Sequence, residues 1–336
     1  MNRTQLLERL KTLEFDKKDY WLITGGAMVL YELRAETGDI DLGCTREMAD
    51  VLEASGHTPT ILKDGTRKFL YGEDIEIFEE WLYDRVELVE AVPVISLNGL
   101  LAMKKTLGRE KDLRDVKLIE ERMQAINRSA IIHHYDLLID EDNDPVHDPE
   151  PLREYMNKWD GDGFIERMEL NAEKSVLEIG VGTGRLAVRV ASLCGNFCGI
   201  DLSPKTIERG RENLASFNNV NLICGDFLSY EFVEKFDVIY SSLTFMHIAD
   251  KQNALCKIAT LLNTDGRLVV SIDKNPSECI DIGINRIAIY PDTPDAMAEY
   301  IKSAGLDLVE QYETEFGVIF VAVLNEYTMQ IVDAEN

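Results

Sequence analysis

Much of what would assign this chain to a common class is missing from it. Six cysteines in 336 residues, with no CxxC among them, do not make a disulfide scaffold. Cys194 and Cys198 are four apart, and the Gly195-Asn196 between them breaks any helix that would align them, so reduced structural thiols in a cytoplasmic protein are expected. Long hydrophobic runs are absent. The longest, residues 317–324 (GVIFVAVL), falls far short of the roughly 20 residues needed to cross a bilayer. The N-terminal segment MNRTQLLERLKTLEFDKKDY is charged where a secretory leader is apolar, so neither export nor a membrane is expected. Positive charge is scarce: 35 Lys+Arg stand against 61 Asp+Glu, a net charge of −26. With no basic run to neutralise phosphates, a nucleic-acid partner is not expected. HExxH, GxSxG and GxxxxGK[ST] do not occur. Asp140-x-Asp142-x-Asp144 begins like a calcium loop, but Pro145 and Pro151 stand where such a loop needs glycine and glutamate.

What is present is an ordinary globular composition, 45% hydrophobic and 29% charged, at a length that suits two domains. Residues 1–125 carry a net charge of −7 and residues 126–336 carry −19. The acidic, proline-bearing stretch 140–151 reads as a loop or hinge near a domain boundary. The first part predicts helices at 4–13 and 27–33, the latter after a break at Gly25-Gly26. It predicts strands at 20–24, 39–42 and 75–78, and a last helix over 97–123 with an interruption at Gly108. The second part alternates strands (175–179, 197–201, 220–224, 237–241, 267–272) with helical patterns such as 206–217 and 253–262. That alternation implies a parallel, doubly wound α/β sheet. Residues 306–312 and 318–324 follow without a helix between them and predict an antiparallel hairpin at the sheet edge.

The sharpest motif is Val176-Leu-Glu-Ile-Gly-Val-Gly-Thr-Gly-Arg-Leu-Ala187, a buried strand ending in Gly180-x-Gly182-x-Gly184 and running into a helix. Glycines permit the tight turn and a close backbone approach to a ligand, and the helix start offers free N–H groups. Asp201 ends the second strand, where a carboxylate can accept from both hydroxyls of a ribose. Asp226 ends the third, within reach of an adenine amine, and Glu178 stands before the first glycine. This set, with GIDLSPKTI, CGDF, FDVIYSSLTFMHI and LLNTDGRLVVSI, resembles the class I S-adenosylmethionine-dependent methyltransferases over residues 130–325. The resemblance implies a Rossmann-like seven-stranded sheet with a reversed edge strand. It implies cofactor contacts at Glu178, Gly180, Gly182, Gly184, Asp201 and Asp226, and the same set includes Leu202, Phe227, Ser241 and Tyr135. His247 is either a structural loop histidine or a catalytic base. Residues 126–170 are expected to form a helical cap or lid and linker. Acceptor selection is expected from 133–170 and 274–293, and the acidity favours a small-molecule acceptor.

In the first part, Asp39 and Asp41 lie two apart on a short strand, so both face one side, where hard oxygen ligands suit Mg²⁺. Glu76, or alternatively Asp74, supplies a third acid. Gly25-Gly26 precedes a helix whose start is positioned for phosphates. Together with Thr37-Gly-Asp-Ile-Asp-Leu42 and the basic helix at 103–115, this resembles the polymerase-beta-type nucleotidyltransferases over residues 1–125. The resemblance implies a smaller α+β nucleotidyltransferase fold with Asp39, Asp41 and Glu76 as catalytic acids and Asp39 and Asp41 as metal ligands. It further implies a nucleoside triphosphate as partner. Lys104, Arg109 and Lys111 either meet phosphates or form a solvated helix face. The alternative role for this domain is a non-catalytic nucleotide-sensing or partner-binding module.

Overall fold

In the computed structural model, which describes residues 1–282 and 285–324, the chain divides into two compact units, Met1–Ile126 and Asn127–Asn336. The first unit opens with α1 (Arg3–Lys11), whose start is closed by an Asn2–Gln5 capping box. Then come β1 (Tyr20–Leu22), α2 (Thr24–Leu30), β2 (Ile40–Cys44), α3 (Arg46–Ala54), β3 (Thr60–Ile61), β4 (Arg67–Tyr71), β5 (Ile75–Glu79), β6 (Val86–Val89), β7 (Val92–Ile95) and α4 (Leu97–Leu107). α5 (Glu110–Asp140) follows, and the division of the chain falls inside it. The seven strands form one mixed sheet in the order β3-β4-β5-β2-β1-β7-β6. β2 runs parallel to β5 and antiparallel to β1. Leu22, Met28, Leu42, Phe69, Ile77, Leu100 and Met103 are buried together in its core.

Three sequence expectations change here. Gly25 and Gly26 do not break the chain ahead of a helix; they lie in the first turn of α2, and Thr24, expected at a strand end, begins that helix. Gly26 packs so closely on β1 that a Cβ would stand 2.7 Å from Leu22 Cδ1, so this glycine serves helix-on-strand packing. The helix expected to end at 123 continues to Asp140. Gly108, left-handed at φ 60°, ends α4, and neither glycine nor proline occurs again until Pro145. The acidic loop after Asp140 therefore lies within the second unit.

The second unit continues with α6 (Glu150–Asp160), β8 (Ser175–Ile179), α7 (Ala187–Val190), β9 (Asn196–Asp201), α8 (Pro204–Asn213), β10 (Val220–Cys224), β11 (Phe236–Ser241), α9 (Lys251–Leu261) and β12 (Leu262–Asp273). It closes with β13 (Cys279–Ile282), β14 (Asn285–Ala288), α10 (Pro294–Ser303), β15 (Leu306–Glu313) and β16 (Gly317–Leu324). The sheet order is β10-β9-β8-β11-β12-β16-β15. β8 to β12 pair in parallel, while β16 runs antiparallel to both β12 and β15. The reversed strand is thus not the edge strand. β16, apolar almost throughout, is inserted between β12 and β15, because its residues 317–322 are buried and need cover on both sides. Chain order reverses between β8 and β11, and in such sheets ligands bind at the carboxyl ends of the strands at this switch point.

Candidate active site

The turn after β8 carries three left-handed glycines, Gly180 (φ 77°), Gly182 (φ 57°) and Gly184 (φ 101°). They do different work. A Cβ on Gly180 would stand 1.9 Å from Thr244 Oγ1, so that glycine lets the loop after β11 close on the turn. A Cβ on Gly182 would meet nothing within 4 Å, so the backbone there faces open space. The Gly182 N–H donates to Asp201 Oδ2 at 3.0 Å and the Ser203 N–H to Asp201 Oδ1 at 3.0 Å. Each Asp201 oxygen keeps a lone pair for a further donor. Burial pushes this carboxyl above its ordinary value, opposed by those backbone bonds.

Beside the turn lies a buried acid cluster. Glu178, 3% exposed, accepts from Tyr240 Oη at 2.7 Å. Burial pushes its carboxyl up to about 8, with Asp160 and Asp201 adding repulsion and Tyr240 and Arg185 opposing. Asp160, at the end of α6, pairs with Arg185 Nη1 at 2.6 Å and accepts from the Ser242 hydroxyl. Sequence reading missed Asp160, Arg185 and Ser242. The available signals were the arginine inside the glycine motif and an acid beside Gly161. Ser241 donates to Ile179 O at 2.8 Å, so its hydroxyl ties neighbouring strand ends together.

Asp226 lies beyond the end of β10. Its Oδ1 accepts from the Leu228 N–H at 3.0 Å and its Oδ2 from Arg128 Nη2 at 2.8 Å. The Phe227 ring is buried in the core and leaves the loop its backbone groups. Leu202 is half-buried in the turn after Asp201. From the C-terminal half of α5, Asp136 accepts from Ser203 Oγ at 2.6 Å, and Tyr135 Oη lies 2.9 Å from His247 Nε2. Burial lowers the His247 imidazole to about 4, so it is neutral near pH 7, and its Nδ1 is buried without a partner. His134 Nδ1 is likewise buried and unpartnered. The second unit therefore brings Glu178, Gly182, Asp201, Asp226, Tyr135 and His247 to the strand ends.

In the first unit, a cleft of about 440 Å³ is lined by Gly25, Asp39, Asp41 and Glu76 with Lys68, Lys104, Arg109 and Lys111. Asp41 and Glu76 are register partners across parallel β2 and β5 and so share a face. Thr24, left-handed at φ 47°, donates its hydroxyl to Asp41 Oδ2. Burial raises the Asp41 carboxyl, and Asp39 and Glu76 add to the rise while Thr24 opposes it. Asp74 is held by Arg9 through two bonds of 2.9 and 2.8 Å and does not line the cleft. Lys104 does not lie on a solvated face. It is 2% exposed and pairs with Asp112 at 3.0 Å and Asp115 at 2.7 Å. The expected Mg²⁺ centre does not fit this arrangement. Among the described residues no group of three or more His, Cys, Asp or Glu could hold a metal ion, and Glu76 is paired with Lys68 at 2.8 Å.

Residues 170–316 match the family model described as a methyltransferase domain. An uncharacterized methyltransferase of Anoxybacillus flavithermus (strain DSM 21510 / WK1) is 32% identical over 174 residues, covering 50% of this chain and 74% of that protein. A ubiquinone biosynthesis O-methyltransferase of Cupriavidus pinatubonensis is 30% identical over 182 residues, covering 49% of this chain and 70% of that protein. Among solved structures, the complex of DhpI with SAH is similar at a TM-score of 0.50 and 13% identity, covering 59% of this chain and 97% of that one.

Proposed function

Because the chain belongs, through its second unit, to the S-adenosylmethionine-dependent methyltransferases, we propose that the carboxyl ends of β8, β9 and β10 hold that cofactor while the C-terminal half of α5 faces the acceptor. The observation that carries this is the open space at Gly182 beside an Asp201 carboxylate already fixed by two backbone N–H groups. Asp201 receives the ribose hydroxyls, and Asp226 with the Phe227 backbone receives the adenine. Leu202 borders the adenosine. Glu178, Gly180 and Gly184 surround the amino-acid end, and Tyr135 closes the site. When bound, the cofactor supplies a methyl group activated by a sulfonium.

The chain's own contribution is alignment and charge. Asp160, paired with Arg185, and Asp201 give the site its negative charge, and Glu178 adds to it when a cation draws off its proton, which favours a cationic cofactor over its neutral-sulfur product. His247, kept neutral and supported by Tyr135, accepts a proton from an acceptor that must lose one. The net charge of −19 over residues 126–336 disfavours a polyanionic acceptor and suits a small molecule. The quinone-directed name of the Cupriavidus relative supports this reading of the acceptor class. Calorimetric titration with S-adenosylmethionine tests the cofactor assignment. Wild type should bind, and Asp201→Ala should bind at least tenfold more weakly; equal affinity refutes the assignment. Methyl-labelled cofactor with metabolite extracts then identifies the acceptor.

A second reading concerns the first unit. Its cleft is lined by Asp39, Asp41 and Glu76 together with Lys68, Arg109 and Lys111, a mixture suited to a phosphorylated ligand. We propose a nucleotidyltransferase-like unit taking a nucleoside triphosphate, with Gly25 at the cleft wall. Titration of labelled nucleotides with and without added Mg²⁺ tests it. Transfer lost in Asp41→Ala supports catalysis. Binding without transfer assigns a sensing role, and no binding removes the nucleotide from the account.

A further inference from the structure

Arg128 has no role in the reading above, yet its guanidinium meets the acid that reading gives to adenine. Nη2 lies 2.8 Å from Asp226 Oδ2. The other oxygen, Oδ1, accepts from the Leu228 N–H in the carboxylate's own loop. The carboxylate is therefore fixed by two donors, one from its loop and one from α5. Each oxygen retains a second lone pair.

The neighbour in sequence explains why Arg128 stays in place. The side-chain amide of Asn127 donates to Ala288 O and accepts from the Ala288 N–H, both at 3.0 Å, gripping the end of β14. About two turns further along α5, Ser203 and His247 hold Asp136 and Tyr135. Arg128 thus projects from a helix segment tied at both ends. Its side chain is 48% exposed against 17% for Asp226. A pair so open to solvent contributes little to stability. What it does supply is orientation, because a carboxylate with one local donor can rotate and present either oxygen.

We infer that Arg128 is a positioning residue for adenine recognition: by clamping Asp226 Oδ2 it holds the carboxylate in the orientation that accepts the exocyclic amine, and so sets discrimination between 6-amino and 6-oxo purines. This rests on the assignment of Asp226 to the adenine. A 6-oxo base offers an acceptor where the amine donates, and a fixed carboxylate rejects it, because two acceptors then face each other. A carboxylate free to turn rejects it less.

The test compares S-adenosylhomocysteine with S-inosylhomocysteine by calorimetry on the full chain. Wild type should prefer the adenine compound. Arg128→Ala should lose roughly tenfold of that preference, through weaker binding of the adenine compound and relaxed rejection of the 6-oxo compound, with an unchanged melting temperature. Arg128→Lys, which keeps the charge but not the planar fork, should recover part of it. Asp226→Ala should abolish the preference. If it does not, Asp226 does not read the base, and this inference falls with that assignment. If Asp226→Ala abolishes the preference while both Arg128 variants retain it in full, the inference alone is overturned. Tighter binding of both ligands by Arg128→Ala would mark the pair as a plug and overturn it too. Should Arg128→Ala fail to fold, Arg128→Gln supplies the same comparison.

Discussion

Glu178 shows how one residue ties fold and ligand together. Its carboxyl is raised from the ordinary 4.5 to about 8, chiefly by burial. Between those values the folded chain holds a proton that the unfolded chain has released. Its contribution to stability is therefore full below about 4.5 and is lost as pH rises towards 8. Glu178→Gln, which stays neutral, should flatten the fall in melting temperature between pH 5 and 8. A cationic ligand reverses the preference by favouring the carboxylate. S-adenosylmethionine should then bind more tightly as pH rises from 6 to 8 and release up to one proton near pH 7. Calorimetry in two buffers of different ionisation enthalpy reads this directly, and identical apparent enthalpies would refute it. His247, lowered to about 4, adds no titration in that range. The sequence places Glu178 before the first glycine but says nothing of the burial that raises its proton affinity, or of the Tyr240 hydroxyl and Asp160, 18 positions upstream, which adjust it.

At the scale of elements, the glycine turn separates two functions that look alike in sequence. Gly180→Ala places a methyl group against Thr244 at a left-handed φ and should cost about 1–3 kcal/mol of stability, seen as a lower melting temperature. Gly182→Ala meets no protein atom within 4 Å and should cost roughly 1 kcal/mol of backbone strain. Its methyl group enters the space assigned to the cofactor, so it should lose affinity at least tenfold while still melting cooperatively. The reverse pattern would overturn this division of labour. Spacing revealed the strand–turn–helix, since a buried Val/Ile strand running into three glycines has few other conformations. It foresaw the helix α2 but set its start three residues late. Local propensity treats Gly25-Gly26 as a breaker, whereas close packing on Leu22 and Thr37 keeps both inside a helix.

For the whole molecule, the hydrophobic clusters divide between the units. One draws on residues 6–119, and the other two draw on residues 164–322. Calorimetric melting should accordingly show two transitions. S-adenosylhomocysteine at a hundredfold excess over its Kd should raise only one, by about 2.7 kcal/mol of added stability. Lys104→Met should lower the other, because Asp112 and Asp115, 0% and 1% exposed, lose a buried counter-charge worth about 3 kcal/mol. A single transition responding to both changes would contradict independent cores. The charge of −26 also divides unevenly, and most of it lies in the half that carries the methyltransferase family match.

The sequence by itself determined the parallel α/β sheet of the second unit, its terminal antiparallel hairpin and the acids at the ends of its strands. These depend on short-range periodicity and on glycines that only one backbone path accommodates. Tertiary structure decided which acids share a site and what state they take. Asp74 and Glu76 are two residues apart, yet Arg9 holds the first away from the cleft and Lys68 occupies the second. Asp226 looks like a free carboxylate in sequence and is clamped by Arg128, 98 positions upstream. Partners so distant in the chain leave no trace in local spacing, because their contact exists only after packing has excluded water and set each charge against a particular neighbour.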